Sequence, residues 1–401
     1  MGSDFIKYRK GQYIVPIKLI NKKQYYYDLM NIENSFTGRL DVLFANTFIA
    51  EANKLLINSI ELFEMGYFDC SFYSLRQALE LATTMIYLVE IDKNEKEEKL
   101  NSWKNQGRFP MYKQMHEYLK INGNVYIDIK EKLEDYFSEL NKLKIKLNKY
   151  VHKQGEETFY IFRNRINPNK EKIDLFRAEY EQYLVKCIGA VAIFRLVIDP
   201  LPALLNDEDI YNRTPDFMTE GYKDDFIEKY IGKDVFEMYK QTRLYSDAYD
   251  HIINQEERPQ SVVDLIKYQF IDNKRIDEIL RNSKFLSQID LLAVTLASFS
   301  KKIVNIYFYG GFNWYYTKIK SKRTSTSFDS RVFKKFEELS KKENLEYEEV
   351  YLTCFEFKDE KYYIEHNEKF TEEEVAFLNM LNELPNKLNE FTFNSQKKRK
   401  D

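Results

Sequence analysis

His152 and Asn148 are the two residues whose types and spacing come closest to a reactive centre. They lie four positions apart at the end of a strongly patterned helix, so their side chains share one helix face. An imidazole has a pKa of about 6.5 and can act as the base or the acid in metal-independent RNA cleavage. Lys146 offers a cation for a phosphate. The pair also has a structural interpretation, in which Asn148 and His152 hydrogen-bond each other or cap the helix end near Gly155.

Arg76 and Glu80 form a second spaced pair, again one helical turn apart. Such a pair by default predicts a salt bridge, or a hydrogen bond to a neighbouring helix. Further cations follow His152 along the chain, and Arg163 and Arg165 could supply positive charge to the same phosphate.

Two stretches together carry a resemblance to a known family. They are Tyr67–Val89 (YFDCSFYSLRQALELATTMIYLV) and Leu143–Gly155 (LKIKLNKYVHKQG). They resemble the HEPN superfamily, the helical bundles of prokaryotic toxin, RNA-processing and phage-defence proteins. The resemblance covers residues 41–205 and implies a cytoplasmic, dimeric protein of a phage-defence or stress system that binds RNA or a nucleotide without a cofactor. In that family the Arg76–Glu80 segment would line the bundle near the histidine.

Active members of this family carry an arginine, four to six residues and then a histidine. With four intervening residues the arginine position falls on Leu147 and the following polar position on Asn148; with five, it falls on Lys146. An arginine would hold the scissile phosphate in a bidentate fork, which a lysine cannot do and a leucine cannot replace. The resemblance therefore implies a degenerate endoribonuclease, and the alternative is a non-catalytic protein that dimerises or docks a partner effector.

The elements that would position these residues follow from apolar spacing, which predicts a mainly α protein with a mixed helical and α+β C-terminal region. A seven-residue seam predicts a central buried helix near residues 127–153. It consists of Ile129, Leu133, Tyr136, Leu140, Leu143, Leu147 and Tyr150. The predicted organisation is an N-terminal extension (1–40, with a strand at 11–20), a helical bundle (41–205), a linker (206–225), a helical region (226–302), a small α+β region (303–395) and a basic tail (396–401).

Within the α+β region, residues 303–319 and 347–366 each predict a β-hairpin and residues 331–343 a helix. Thr371 with Glu374 three positions later predicts a capping box that begins a last helix. Glu356-x-Lys358 matches half of a metal-dependent nuclease motif, but such tripeptides are common in charged hairpins. Two basic stretches, Lys318–Arg323 and Lys397–Arg399, could contact phosphates or simply be solvated.

Composition narrows the classes of function and partner that remain. The 401 residues carry 61 Lys and Arg against 64 Asp and Glu, a net charge of -3, which gives no global argument for nucleic acid or membrane. The longest apolar stretch is interrupted by Lys186, Arg195 and Asp199, so it predicts a buried core helix and no membrane partner. Three separated cysteines predict neither a zinc site nor a disulfide framework and fit a reducing compartment. Walker A, GxGxxG, GxSxG and HExxH motifs are missing from the sequence.

Overall fold

The computed structural model describes residues 16–159, 170–308, 313–317, 342–357 and 360–381, together with the isolated positions Asp4 and Glu338. Over these residues the protein is mainly helical, with a five-stranded antiparallel sheet near the C-terminal end, as the sequence predicted. The chain divides into two compact units. The first contains residues 1–213 and 219–255, and the second contains residues 214–218 and 256–401.

The first unit is a helical bundle whose central pair is α2 and α3. Helix α3 also packs against α5, α7 and α8, so it lies at the middle of the bundle. The described helices of this unit are α1 (Lys22–Asn34), α2 (Phe44–Glu64), α3 (Phe68–Glu90), α4 (Lys93–Lys104), α5 (Tyr112–Asn122), α6 (Asn124–Lys132), α7 (Glu134–Val151), α8 (Lys170–Leu196), α9 (Leu201–Leu204), α10 (Glu208–Arg213), α11 (Asp224–Phe226), α12 (Lys233–Tyr239) and α13 (Arg243–Ile253), with single 3-10 turns at Leu40–Val42 and Glu156–Thr158 and a π-helical turn at Ile227–Ile231.

The predicted seam is buried, but it runs along two helices rather than one. Ile129, Leu133 and Leu147 are fully buried, and Leu143 and Tyr150 nearly so. The chain leaves helical geometry at Leu133 (φ -110°, ψ 36°), so α6 ends there and α7 begins at the next residue. Neither glycine nor proline marks this break. Because the apolar spacing continues unchanged across it, the spacing alone predicts a single helix.

The described part of the N-terminal extension differs from the prediction in its secondary structure. The described residues of the predicted strand, 16–20, are not in a strand, and the other five lie outside the described residues. Helix α1 occupies residues 22–34, where the sequence predicted only an extension. Helix α1 buries Tyr25, Leu29 and Ile32, which are spaced four and three residues apart on one face. Many lysines, tyrosines and asparagines surround these three positions and obscure the pattern.

Most of the segment predicted as a linker, residues 206–213 and 219–225, belongs to the first unit. The side chain of Tyr222 is buried, and its hydroxyl donates to the carbonyl of Ala192 at 3.0 Å. Tyr222, Phe226 and Tyr230 follow at four-residue steps, and their rings contact one another in series. The first unit therefore extends to residue 255, well beyond the predicted boundary at 205.

Helix α8 is the buried core helix that its apolar run predicted. Arg195 is fully buried, its Nη2 lies 3.2 Å from Asp199 Oδ1, and its Nε donates to the carbonyl of Ser35 at 2.6 Å. With Nη1 donating to the carbonyl of Asp199 at 3.4 Å, each of the three guanidinium nitrogens has an acceptor, as a buried charge requires. Within the described part of the chain, no helix combines the length and apolarity needed to cross a bilayer.

The second unit combines short helices with the sheet. Its helices are α14 (Gln260–Tyr268), α15 (Ile276–Arg281), α16 (Gln288–Phe299) and residues 372–381 (α17), with a 3-10 turn at Ser283–Phe285. Its strands are β1 (Ile303–Phe308), β2 (Asn313–Tyr316), β3 (Leu345–Tyr347), β4 (Val350–Phe357) and β5 (Glu360–His366), in the order β2-β1-β5-β4-β3.

Both predicted hairpins are present in the sheet. Strands β1 and β2 form one antiparallel pair, β4 and β5 form the other, and β1 joins the two by pairing with β5. Thr371 and Glu374 make the predicted capping box, in which each side chain accepts the other residue's backbone N–H. Within the predicted helix at 331–343, Glu338 is helical and residues 342 and 343 are not, while the other positions lie outside the described residues. Lys358 and both basic stretches also lie outside them.

Candidate functional site

The candidate site lies where α3 packs against α7. Helix α7 begins with Glu134 and Asp135, whose carboxylates complement the positive end of the helix dipole. Its apolar face turns inward, while Lys144 and Asn148 follow one another at four-residue spacing on a half-buried polar face. This spacing directs both side chains to the same side of α7.

Arg76 links the two helices. Its Nε donates to Asn148 Oδ1 at 2.7 Å, and its Nη2 donates to Glu80 Oε1 at 2.6 Å. The side chains of Arg76 and Glu80 are 23% and 17% exposed, so the guanidinium is held in place and still reaches solvent. Three of the predicted site residues therefore come together, and both contacts expected of a structural Arg–Glu pair are made.

His152 lies at the C-terminal end of α7. Its backbone N–H donates to the carbonyl of Asn148 at 2.9 Å, whereas the Asn148 side chain bonds to Arg76. Lys153 adopts a left-handed conformation (φ 53°), and Gln154 N–H donates to the carbonyl of Lys149, which completes a Schellman-type helix end. The exposed imidazole of His152 makes no hydrogen bond to the described residues. His152 is thus the residue that ends α7, and its side chain makes no hydrogen bond to Asn148.

Lys146 and Leu147 point away from this cluster. The Lys146 ammonium lies 5.7 Å from the ring centroid of Tyr183 on α8, and Leu147 is fully buried in the core. Neither alignment with the family's arginine position therefore puts a residue beside Arg76 and Asn148. Arg163 and Arg165 lie outside the described residues.

Lys144 is the member of this site that sequence reasoning missed. Its side chain is half-buried, and burial lowers its pKa to about 8, with Arg76 adding to the effect and Glu80 opposing it. The only sequence signal was its four-residue spacing before Asn148, which is also the spacing of any two neighbours on a helix face.

The chemistry available here is that of hydrogen-bond donors and an exposed imidazole. Among the described residues, no three His, Cys, Asp or Glu side chains come together as a metal site. Comparison with known proteins gave no match, whether to a family model, to a curated protein or to a solved structure. The HEPN resemblance thus rests on the two sequence stretches that carry it.

Proposed function

We propose that the first unit is a HEPN-like RNA-binding bundle in which Arg76, Asn148 and His152 act on a phosphodiester without a metal. The observation that carries the proposal is the 2.7 Å hydrogen bond from Arg76 Nε to Asn148 Oδ1. Asn148 and His152 are one helical turn apart, so Arg76 contacts α7 one turn before the histidine. This arrangement supports the proposal because Arg76 on α3 provides the guanidinium that position 147 on α7 lacks.

The cleavage step follows from the groups present. The imidazole of His152 takes the proton of the ribose 2′-hydroxyl, the 2′-oxygen bonds to phosphorus, and the bond from phosphorus to the 5′-oxygen breaks. The leaving 5′-oxygen receives a proton from an imidazolium, and the products are a 2′,3′-cyclic phosphate and a free 5′-hydroxyl. In a two-fold dimer, which the resemblance implies, the second chain's histidine would provide that acid. Arg76 would donate to a non-bridging phosphate oxygen and stabilise its developing charge.

The test compares His152→Ala with wild type in RNA cleavage and thermal melting. Removal of a general base typically lowers a rate by about 10²–10⁴-fold, so cleavage should fall by that factor while the melting temperature stays unchanged. His251→Ala is the matched control, since His251 is an exposed histidine near the end of α13. The proposal is overturned if wild type cleaves no RNA, or if His152→Ala cleaves as fast as wild type.

A specific observation favours the alternative of a non-catalytic interaction protein. Glu80 lies 2.6 Å from Arg76 and neutralises its charge, which weakens the guanidinium as a phosphate ligand. In that case the cluster only fastens α3 to α7, and the bundle dimerises or docks an effector of a defence system. An Arg76→Ala variant that melts lower than wild type, from a protein with no cleavage activity, is the outcome this alternative requires. A neighbouring gene for a nuclease, an ATPase or a toxin partner would support its place in such a system.

A further inference from the structure

A cavity of about 390 Å³ opens between α5, α6 and α7 of the first unit. Its size falls in the range of about 300–1,000 Å³ that is typical of small-molecule sites. It adjoins the candidate site through Lys144, which lines the cavity wall, but it contains neither Arg76 nor His152. The cavity is therefore separate from the cluster of Arg76, Asn148 and His152.

The floor of the cavity is aromatic. Tyr126, Phe137 and Phe194 reach it from three different helices and are buried, with 3–8% of their surface exposed. Thr83 of α3 adds a hydroxyl beside them, although that hydroxyl donates to the carbonyl of Leu79. A planar apolar body would be accommodated here by ring contacts, which favour offset or edge-on stacking.

The mouth of the cavity is cationic. Lys120, Lys130 and Lys144 line it, against a single carboxylate from Glu134. None of the three lysines forms a salt bridge with another described residue, so their charges are not neutralised within the described part of the chain. An anion at the mouth would be attracted by three ammonium groups whose mutual repulsion it would relieve.

Lys144 is the cation most affected by its surroundings. Its ammonium lies over the ring face of Tyr112, and burial is the main cause of its lowered pKa. A half-buried cation that forms no salt bridge with the described residues is stabilised strongly by a bound anion. This half-buried ammonium distinguishes the cavity from an ordinary patch of surface lysines.

His116 supplies a polar group that lacks a partner. It lies one turn from Tyr112 and one turn from Lys120 on the cavity face of α5. Its Nδ1 is buried and has no hydrogen-bond partner among the described residues. Buried polar atoms are normally satisfied, so an unpaired one in a cavity wall indicates a missing partner such as a ligand or water.

We propose that this cavity binds a small phosphorylated aromatic molecule, of the chemical class of a nucleoside monophosphate. The ring lies against Tyr126, Phe137 and Phe194, and the phosphate lies at the mouth between Lys120, Lys130 and Lys144. A purely apolar ligand would leave three ammonium groups at its edge unpaired, and a bare inorganic anion would leave the aromatic floor unfilled. The proposal does not depend on the RNA chemistry proposed at His152.

Isothermal titration of the full-length protein with the four ribonucleoside monophosphates tests this proposal. At least one should bind, and the corresponding nucleoside and inorganic phosphate should each bind at least about 10-fold more weakly, because each lacks half of the recognised groups. No binding by any of the four at millimolar concentration overturns the proposal. Equal affinity for the nucleoside and its monophosphate overturns the role of the lysines.

Matched variants locate the site. Lys144→Met keeps the length of the side chain and removes its charge, and we expect it to weaken binding by at least about 10-fold. Lys130→Met should weaken binding as well, and it provides a second reading should Lys144→Met fold poorly. Lys146→Met is the control on the same helix, because Lys146 faces Tyr183, and its affinity should equal that of wild type. Unchanged affinity in both cavity variants would assign the binding to another place in the molecule. The titration measures monophosphate binding without RNA cleavage, so failure of the RNA proposal and failure of this one are distinguishable.

Discussion

Placing the arginine of the HEPN superfamily on α7 should unfold the bundle rather than increase RNA cleavage. The alignment with four intervening residues assigns the arginine to position 147, where this chain has leucine. Leu147 is fully buried, in the same core cluster as Leu143 and Tyr150. A Leu147→Arg substitution therefore introduces a cation into an apolar interior that offers it no designed partner.

The magnitude follows from two terms. Removing a buried leucine side chain costs about 2–5 kcal/mol of folding free energy. Burying an unpaired guanidinium costs several kcal/mol more, even when the long side chain partly reaches toward water. The sum is comparable with the whole stability of a typical protein, about 5–15 kcal/mol. For a unit of this size, a loss of about 5 kcal/mol corresponds to a fall in melting temperature of about 10 °C or more.

Thermal melting and RNA cleavage, measured on the same preparations, check this prediction. Lys146→Arg is the matched control, because Lys146 is exposed and the alternative alignment assigns the arginine to that position. A surface change of this kind should alter stability by less than about 0.5 kcal/mol. A Leu147→Arg protein that melts with wild type, or that gains cleavage activity, would refute the reasoning, since position 147 would then face the substrate rather than the core.

Two further predictions concern the stability of each unit. In the first unit, Gly189→Ala should lower the free energy of unfolding, measured by chemical denaturation, by about 1–3 kcal/mol. Alanine has the better helix propensity, but its Cβ would clash with the carbonyl oxygen of Tyr230. The control Gly38→Ala, which has no atom within 4 Å of the new Cβ, should be nearly neutral. In the second, burial lowers the pKa of His366 to about 4. Between about pH 6.5 and pH 4 the unfolded chain is protonated at His366, whereas the folded unit is not. The free energy of unfolding should therefore fall by up to about 3 kcal/mol as the pH drops from about 7 to about 4. Hydrogen exchange of the β5 amides should report this loss, and a His366→Gln variant with an undiminished pH dependence above pH 5 would contradict it.

The bundle and the hairpins could be predicted because burial imposes a period on the sequence. The seam on α6 and α7 and the two hairpins each follow from local spacing, and the structure confirms them. Pairing of β1 with β5 joins residues about sixty positions apart, and no local pattern records it. Helix α1 was missed because its three buried apolar residues are set among polar ones, two of which, Asp28 and Asn31, are themselves buried through specific hydrogen bonds.

The cavity could not be predicted because its lining comes from several elements of the bundle. Tyr112 and Lys120 lie on α5, Lys130 on α6 and Lys144 on α7, and each is unremarkable in its own helix. An exposed lysine and a ligand-binding lysine have the same local sequence. What separates them is the distance between helices, which depends on packing rather than on spacing within one segment.

Four positions within one and a half turns of α7 show why a sequence motif alone does not locate this site. An α-helix turns by about 100° per residue, so residues close in sequence meet different surroundings. Lys144 faces the cavity, Lys146 lies over a ring of α8, Leu147 enters the core and Asn148 accepts from Arg76. An alignment that shifts by one residue exchanges a surface cation for a core leucine, although both versions preserve the histidine. In the function proposed above, the guanidinium comes instead from Arg76 on α3, which its hydrogen bond to Asn148 holds against α7.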